Sequence, residues 1–442
     1  VDVDVAVIGT GVAGAWTATL CADGGLKVAI VDRREYGGTC KLRGCDPKRI
    51  LLEVSRAVCS ARALYGKGIE GDIRIDWASL MARKREHVAS VPAKTEEGLR
   101  QAGVAILEGT ARFVAPGALD VEGERLRAAD IVIATGARPR PLDIPGADLA
   151  IDSEGFLDLD PLPEHLVFVG GGYIAFEFAG LARCAGAEVT VIEAAPRALS
   201  GFDHDVVERL VAAYREMGIT ILVDAPVLSL ERRGGAVVVH TERGDVKADL
   251  AVHGAGRIPD LDALDLEAAG VKRSRQGVVV EETLRSVSEP HVHAVGDAAD
   301  RGLPLTPVAS REAEALARTL LGKPTVWDPR ATATVVFSVP PVGSVGMSAA
   351  EAAERDDVEV LFTDTSEWFS QQRAGVSHAC AKVMREKDGG RLLGATLIGH
   401  GADELINLFA LAVRAGLTAE QVEDAVYAYP TVGTDVGYLV ST

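Results

Sequence analysis

Cys40 and Cys45 stand close together in the run Gly37-Gly-Thr-Cys-Lys-Leu-Arg-Gly-Cys-Asp-Pro-Lys48. Two thiols at this spacing can cycle between dithiol and disulfide, share a zinc ion, or lie inert in a core. A helical pattern follows from Ile50 to Ala63. It places the pair near a helix N-terminus, where the positive end of the dipole favours the thiolate. Lys41, Arg43, Lys48 and Arg49 add positive charge. A structural zinc site usually needs four ligands, and no second Cys or His pair accompanies this one. The expected chemistry is therefore redox cycling. Cys21, Cys59, Cys184 and Cys380 are scattered. Such sparse use does not suggest a disulfide scaffold, and all four are expected to behave as small buried hydrophobes.

Two glycine turns carry the next chemistry. Gly9-Thr-Gly11-Val-Ala-Gly14 follows an apolar run and opens a helical one. The first glycine allows a tight turn, the second lets a pyrophosphate approach, and the third lets helix and strand pack closely. Gly170-Gly-Gly172-Tyr173-Ile174-Ala175 repeats the pattern, with alanine in the third small position. Asp32 and Glu193 follow Gly9 and Gly170 at the same offset, where an acid can bind a ribose hydroxyl. Two dinucleotides are therefore expected, and a flavin with a nicotinamide is the natural pair. Glu193 would repel the 2′-phosphate of NADP, which favours NADH. Arg197 lies near enough in sequence to soften that repulsion.

These residues need strands and helices to hold them. Val3–Ile8 and Lys27–Val31 read as strands around the first glycine turn. Leu166–Val169 and Glu188–Ile192 read as strands around the second. This repeated βαβ unit predicts an α/β fold with two Rossmann-like dinucleotide-binding domains. Pro and Gly cluster at 138–146, with further breaks at 254–260 and 322–329. Beyond these, a β-branched run at 332–336, a strand at Leu392–Ile398 and helices at Asp403–Ala415 and Ala419–Val426 predict a C-terminal α+β domain.

The 442-residue chain carries a formal net charge of −18. Nucleic acids and anionic membranes select basic surfaces, so neither is an expected partner. No apolar run is long enough to cross a bilayer. A strand pattern begins at Val1 without a basic segment or cleavage site before it, so the expected location is cytoplasmic.

Gly-Gly-Thr-Cys-x4-Cys after a dinucleotide fold resembles the class I pyridine nucleotide–disulfide oxidoreductases, a family that includes glutathione reductase, lipoamide dehydrogenase and mercuric reductase. Ala134-Thr135-Gly136, Gly256-Arg-Ile-Pro259, His293-Ala-Val-Gly-Asp297 and Leu305-Thr306-Pro-Val-Ala309 resemble further family motifs in the family's order. The resemblance implies an FAD domain from 1–143 and 266–326, a NAD(P) domain from 144–265, and an interface domain from 327–442 that makes a homodimer. It implies that Gly38, Thr39, Thr135, Gly136, Asp297, Leu305, Thr306 and Ala309 join Gly9, Gly11, Gly14 and Asp32 around FAD. Gly170, Gly172, Tyr173, Ile174, Glu193, Arg197 and Gly256 would serve NAD(P)H. Cys40 becomes the interchange thiol that meets the acceptor, and Cys45 the charge-transfer thiol beside the flavin. Lys48 and Glu177 become candidates for an ion pair near the flavin, with Arg49 competing for the lysine's place. Tyr173 resembles the ring that covers the flavin until nicotinamide enters.

One motif departs from the family. Disulfide reductases carry His-x-His-Pro-Thr-x-x-Glu near the C-terminus, reaching the other subunit's active site. Here the stretch is Tyr427-Ala-Tyr429-Pro-Thr-Val-Gly-Thr434, and no histidine follows His400. Tyrosine titrates near 10 against about 6.5 for histidine, so Tyr429 is a poor base that could still donate a proton. Thr19 and Leu20 stand where glutathione reductases carry arginines. The C-terminal cysteine pair of mercuric reductases is missing. The expected acceptor is a disulfide or related small molecule. Direct reduction of quinones, dyes or metal ions from the flavin is the alternative, and a non-catalytic redox sensor the third reading.

Overall fold

The structure is a computed structural model, and residues 1–441 are described. The chain divides into two compact units. One comprises Val1–Ile50, Ala82–Arg140 and Gly256–Pro329, and the other Leu51–Met81, Pro141–Ala255 and Arg330–Thr442.

The first unit is built on a seven-stranded sheet. Its parallel part runs Ala105–Glu108, Val28–Asp32, Asp2–Ile8, Glu124–Ile133 and Val292–Ala294. Asp2–Ile8 is central, and Val5, Ala6, Val7 and Ile8 are all buried. A near-continuous apolar run is what a strand covered on both faces requires. Glu124–Ile133 changes partners along its length. Its first half pairs antiparallel with Ala118–Val121 and its second half parallel with Val292–Ala294. On one face, helix Val12–Asp23 and helix Thr306–Leu320 pack through Ala13, Ala18, Cys21, Ala309, Ala313 and Leu316. Small residues dominate this contact, which lets the helix behind the glycine turn approach closely.

The second unit holds a five-stranded parallel sheet in the order Thr220–Leu222, Glu188–Ile192, His165–Val169, Leu250–His253, Ala150–Ile151. An antiparallel three-stranded sheet covers 227–248. The C-terminal part forms an antiparallel five-stranded sheet, with helix Ala402–Ala415 packed on it through Leu405, Ile406 and Phe409.

Two expectations need correction. The helix foreseen at Ala419–Val426 ends at Glu423. Thr418 and Gln421 form its capping box. Val426, however, is 100% exposed, so no apolar face extends the helix. Cys59 and Cys184 are not separate hydrophobes but are joined as a disulfide across 125 residues of sequence. Cys21 and Cys380 are buried free thiols, as expected. No described helix is long and apolar enough to cross a membrane.

Candidate active site

Cys40 lies in the short helix Gly38–Arg43, and Cys45 is the first residue of helix Cys45–Ala63. Gly38 makes the approach to the first glycine turn possible. It has φ +68°, and a Cβ there would meet the Gly11 Cα at 2.4 Å. Any larger residue would push the cysteine segment off the Gly9–Gly14 turn. The two thiols are free and share a partner in Thr306. The Thr306 Oγ1 donates to the Cys40 Sγ at 3.1 Å and lies 3.7 Å from the Cys45 Sγ.

This arrangement separates the two thiols electrostatically. Cys45 is lowered to about 6, mainly by the hydrogen bond from Cys40, with help from Thr306 and Lys48 against burial and Asp46. Cys40 is driven well above the usual thiol range by its bond to Cys45 and by burial. Two sulfurs in one site cannot both ionise cheaply, so the pair holds one proton, on Cys40. Lys48 therefore acts on Cys45 through its charge. Thr306 as a thiol partner was missed from sequence, where it was assigned only to the flavin. No spacing relates position 306 to position 40; the signal is a hydroxyl at the first position of a helix.

The remaining residues of this unit form a cradle. Gly11 caps helix Val12–Asp23 without a side-chain bond, leaving N–H groups at the helix start for an anion. Gly14 is obligatory, because a Cβ there would lie 1.9 Å from the Gly9 carbonyl oxygen. The Asp32 Oδ2 accepts from the Thr10 N at 2.7 Å and Oγ1 at 2.6 Å. The carboxylate is thus fixed at the strand end. Thr39 is half-buried beside Cys40. Thr135 precedes Gly136, whose carbonyl accepts from the Asp260 N. The Thr135 Oγ1 is buried without a hydrogen-bond partner among the described residues, as a group awaiting a ligand would be. Burial raises the Asp297 carboxyl, with Arg257 opposing. Burial also pushes Glu312 up to about 7, although its Oε2 accepts from the Gly296 N. Leu305 caps helix Thr306–Leu320, and Ala309 is buried on it. An uncapped helix start, a fixed acid and an orphaned hydroxyl fit a flavin dinucleotide.

The second glycine turn repeats the plan with different wiring. The Gly170 N donates to the Ile192 carbonyl, and Gly172 caps helix Tyr173–Cys184. Glu193 bridges two backbone donors: Oε2 accepts from the Gly171 N at 2.6 Å and Oε1 from the Ala195 N at 2.7 Å. Arg197 turns away. Its Nη1 donates to the Phe202 carbonyl and its Nη2 to the Ser200 carbonyl. Tyr173 is exposed and Ile174 half-buried at the helix start. Glu177, on the same helix, is buried and accepts from the Phe337 N at 2.8 Å. The Gly256 carbonyl accepts from the Arg140 N. Lys48 belongs to the first unit, while Glu177 belongs to the second.

The C-terminal tyrosines differ from each other. The Tyr427 hydroxyl donates to the Val422 carbonyl, so this ring is structural. Tyr429 is 80% exposed, and the Pro430 carbonyl beyond it accepts from Arg373.

Residues 3–313 match the pyridine nucleotide-disulphide oxidoreductase family, and residues 332–438 match its dimerisation domain. The chain belongs to this family. This oxidoreductase is 33% identical over 450 residues to a glutathione reductase of Burkholderia cepacia, covering 98% of this chain and 97% of that protein. It is 31% identical to a dihydrolipoyl dehydrogenase of Haloferax volcanii, covering 98% and 94%. Among solved structures, the HOCl-induced flavoprotein disulfide reductase RclA of Escherichia coli superposes with a TM-score of 0.90 at 28% identity, covering 99% of each chain. RclA is also known as a Cu(II) complex, with the same TM-score and identity. The fold is therefore two dinucleotide-binding domains and a C-terminal dimerisation domain. The protein is an FAD-dependent pyridine nucleotide–disulfide oxidoreductase that uses NAD(P)H. Electrons flow from NAD(P)H through FAD to the cysteine pair.

Proposed function

We propose that this enzyme delivers electrons from NADH to a small acceptor through Cys40, with Cys45 as the thiolate beside the flavin. The carrying observation is the Thr306 hydroxyl that bridges both thiols, in surroundings that lower Cys45 and raise Cys40. FAD, held by the Gly9–Gly14 turn, Asp32, Thr135 and Asp297, would supply hydride acceptance from the nicotinamide and two-electron delivery to the sulfur pair. Cys45 then remains as the stabilised thiolate, and Cys40 holds the proton that an acceptor must displace. Thr306 orients both sulfurs. Lys48 supports the Cys45 charge, and Glu177 is its candidate partner. The domains divide at 1–143 with 266–326, at 144–265, and at 327–442; the glycine turns at Gly9 and Gly170 support the first two.

Glu193 supports NADH. Its carboxylate is held at the strand end by two backbone N–H groups, where it would repel a 2′-phosphate. Arg197 directs its two terminal nitrogens to the Phe202 and Ser200 carbonyls. The dimerisation domain supports a homodimer in which Tyr429 of each chain reaches the other's site as a proton donor. Its exposure in the single chain suits that role. A sulfur pair that must be reduced each cycle suits a reducing cytoplasm.

A second reading has its own support. Cys40 holds its proton firmly, and the C-terminal motif offers tyrosine in place of a base near neutrality. Metal ions or quinones would then take electrons directly from the flavin, and the Cu(II) complex of RclA makes a metal ion a reasonable probe. Cys40→Ser decides between them across disulfides, quinones and Cu(II). Loss with every acceptor supports the cysteine route, and retained Cu(II) or quinone reduction supports the direct one.

A further inference from the structure

The second cysteine pair lies outside this machinery. Cys59 sits near the C-terminal end of helix Cys45–Ala63, and Cys184 ends helix Tyr173–Cys184. Their Cα atoms are 6.4 Å apart, within the span a disulfide bridges. Cys184 is 1% exposed within an apolar cluster that includes Val58, Phe156, Phe178 and Leu181. Cys59 is half-buried and packs against that cluster. Cys59 is therefore the less buried residue of the pair.

The surroundings also accommodate the reduced form. The Cys184 Sγ lies 3.3 Å from the Ser55 carbonyl oxygen, an acceptor for its thiol proton. The Arg62 Nη1 lies 3.9 Å from the same sulfur and donates to the Cys184 carbonyl at 2.8 Å. Its Nη2 donates to the Ile73 carbonyl, which anchors the guanidinium. The anchored guanidinium thus sits beside the Cys184 sulfur.

We propose that Cys59 and Cys184 form a second thiol–disulfide pair, set by external small-molecule disulfides and thiols and insulated from the nicotinamide. Cys59 loses its proton to solvent and attacks one sulfur of a small disulfide, releasing one thiol. Cys184 then gives up its proton and attacks the Cys59 sulfur, releasing the second small thiolate; the two protons lost by the protein end on the two released thiols. Two protein thiols are oxidised, and one small disulfide is reduced to two thiols. The insulation follows from geometry. Cys45 and Cys59 lie near opposite ends of one uninterrupted helix, about 20 Å apart along its axis. Thiol–disulfide exchange requires sulfur–sulfur contact, so Cys40 and Cys45 cannot service this pair. When closed, the bridge ties the helix that opens on Cys45 to the helix that opens on the second glycine turn. Closing so long a loop raises stability by restricting the unfolded chain.

The test uses the full-length holoenzyme. After incubation with oxidised glutathione, free thiols are alkylated in denaturant and unreduced peptides are analysed by mass spectrometry. A Cys59–Cys184 linked peptide is expected. Under anaerobic NADH, Cys40 and Cys45 should become labelled while Cys59–Cys184 stays linked; dithiothreitol should free both pairs. The glutathione-treated enzyme should unfold on the order of 5 °C above the dithiothreitol-treated one. C59S/C184S should lose most of that difference, keeping only the share of the short Cys40–Cys45 loop, and keep NADH-dependent labelling of Cys40 and Cys45. The proposal is overturned if Cys59 and Cys184 remain alkylatable after oxidation, if NADH alone opens them, or if the full thermal difference persists in C59S/C184S. The wild-type labelling pattern decides by itself should that variant fail to fold.

Discussion

One helix carries a cysteine of each pair, and its two ends show what makes a thiol useful. At the start, Cys45 meets the Cys40 thiol, Thr306 and Lys48, and its pKa falls to about 6. Near the other end, Cys59 meets apolar side chains and a partner brought from 125 residues away. Electrostatic surroundings, not the presence of two sulfurs, separate an electron carrier from a slow clasp. The same contrast runs between the glycine turns. Asp32 is held by the hydroxyl and N–H of Thr10, whereas Glu193 is held by backbone N–H groups alone.

The sharpest way to break the comparison is to remove the low-pKa sulfur. Cys45→Ser should cost at least about 10³ in NADH-driven disulfide reduction, because electrons no longer reach Cys40. C59S/C184S should leave that rate near wild type, and parallel steady-state assays compare the two. Next in size is acidity. Cys45 is lowered, so its thiolate is present at neutral pH and is lost as pH falls through about 6. Thiolate ultraviolet absorbance should drop about tenfold once pH lies one unit below that value. A comparable effect, roughly tenfold in the KM for NADH, is expected for Glu193→Ala, which removes a charged anchor from the second turn. Thr306→Val should raise the Cys45 titration midpoint by about one unit or less, since one hydrogen bond is lost. The smallest change belongs to Tyr429→Phe, no more than about threefold in kcat at neutral pH if the ring only donates a proton that water can also supply.

Much of the framework was legible in the sequence because its signals are local. The apolar runs of Glu188–Ile192 and Leu392–Ile398 became strands with those same bounds. The glycine turns announced helices because strand, turn and small residues adjoin. What escaped depends on residues far apart in the chain. Nothing near Cys59 points to Cys184, since the contact arises only when two helices pack. Thr306 reaches Cys40 across 266 positions. Arg197 was placed beside Glu193 by proximity, yet its guanidinium turns to the carbonyls of Ser200 and Phe202. Helix ends were also uncertain: Cys45 already belongs to the helix whose periodic pattern begins at Ile50.

The central claim is that Cys45 is the ionised sulfur beside the flavin while Cys40 holds the proton. The direct measurement is the visible spectrum of holoenzyme Cys40→Ser at neutral pH, recorded before any reductant is added. With its partner gone, Cys45 can no longer be locked in the disulfide. The account predicts a long-wavelength thiolate–flavin absorbance in this variant, lost as pH is lowered, and none in Cys45→Ser. Absorbance in Cys45→Ser but not in Cys40→Ser would contradict it.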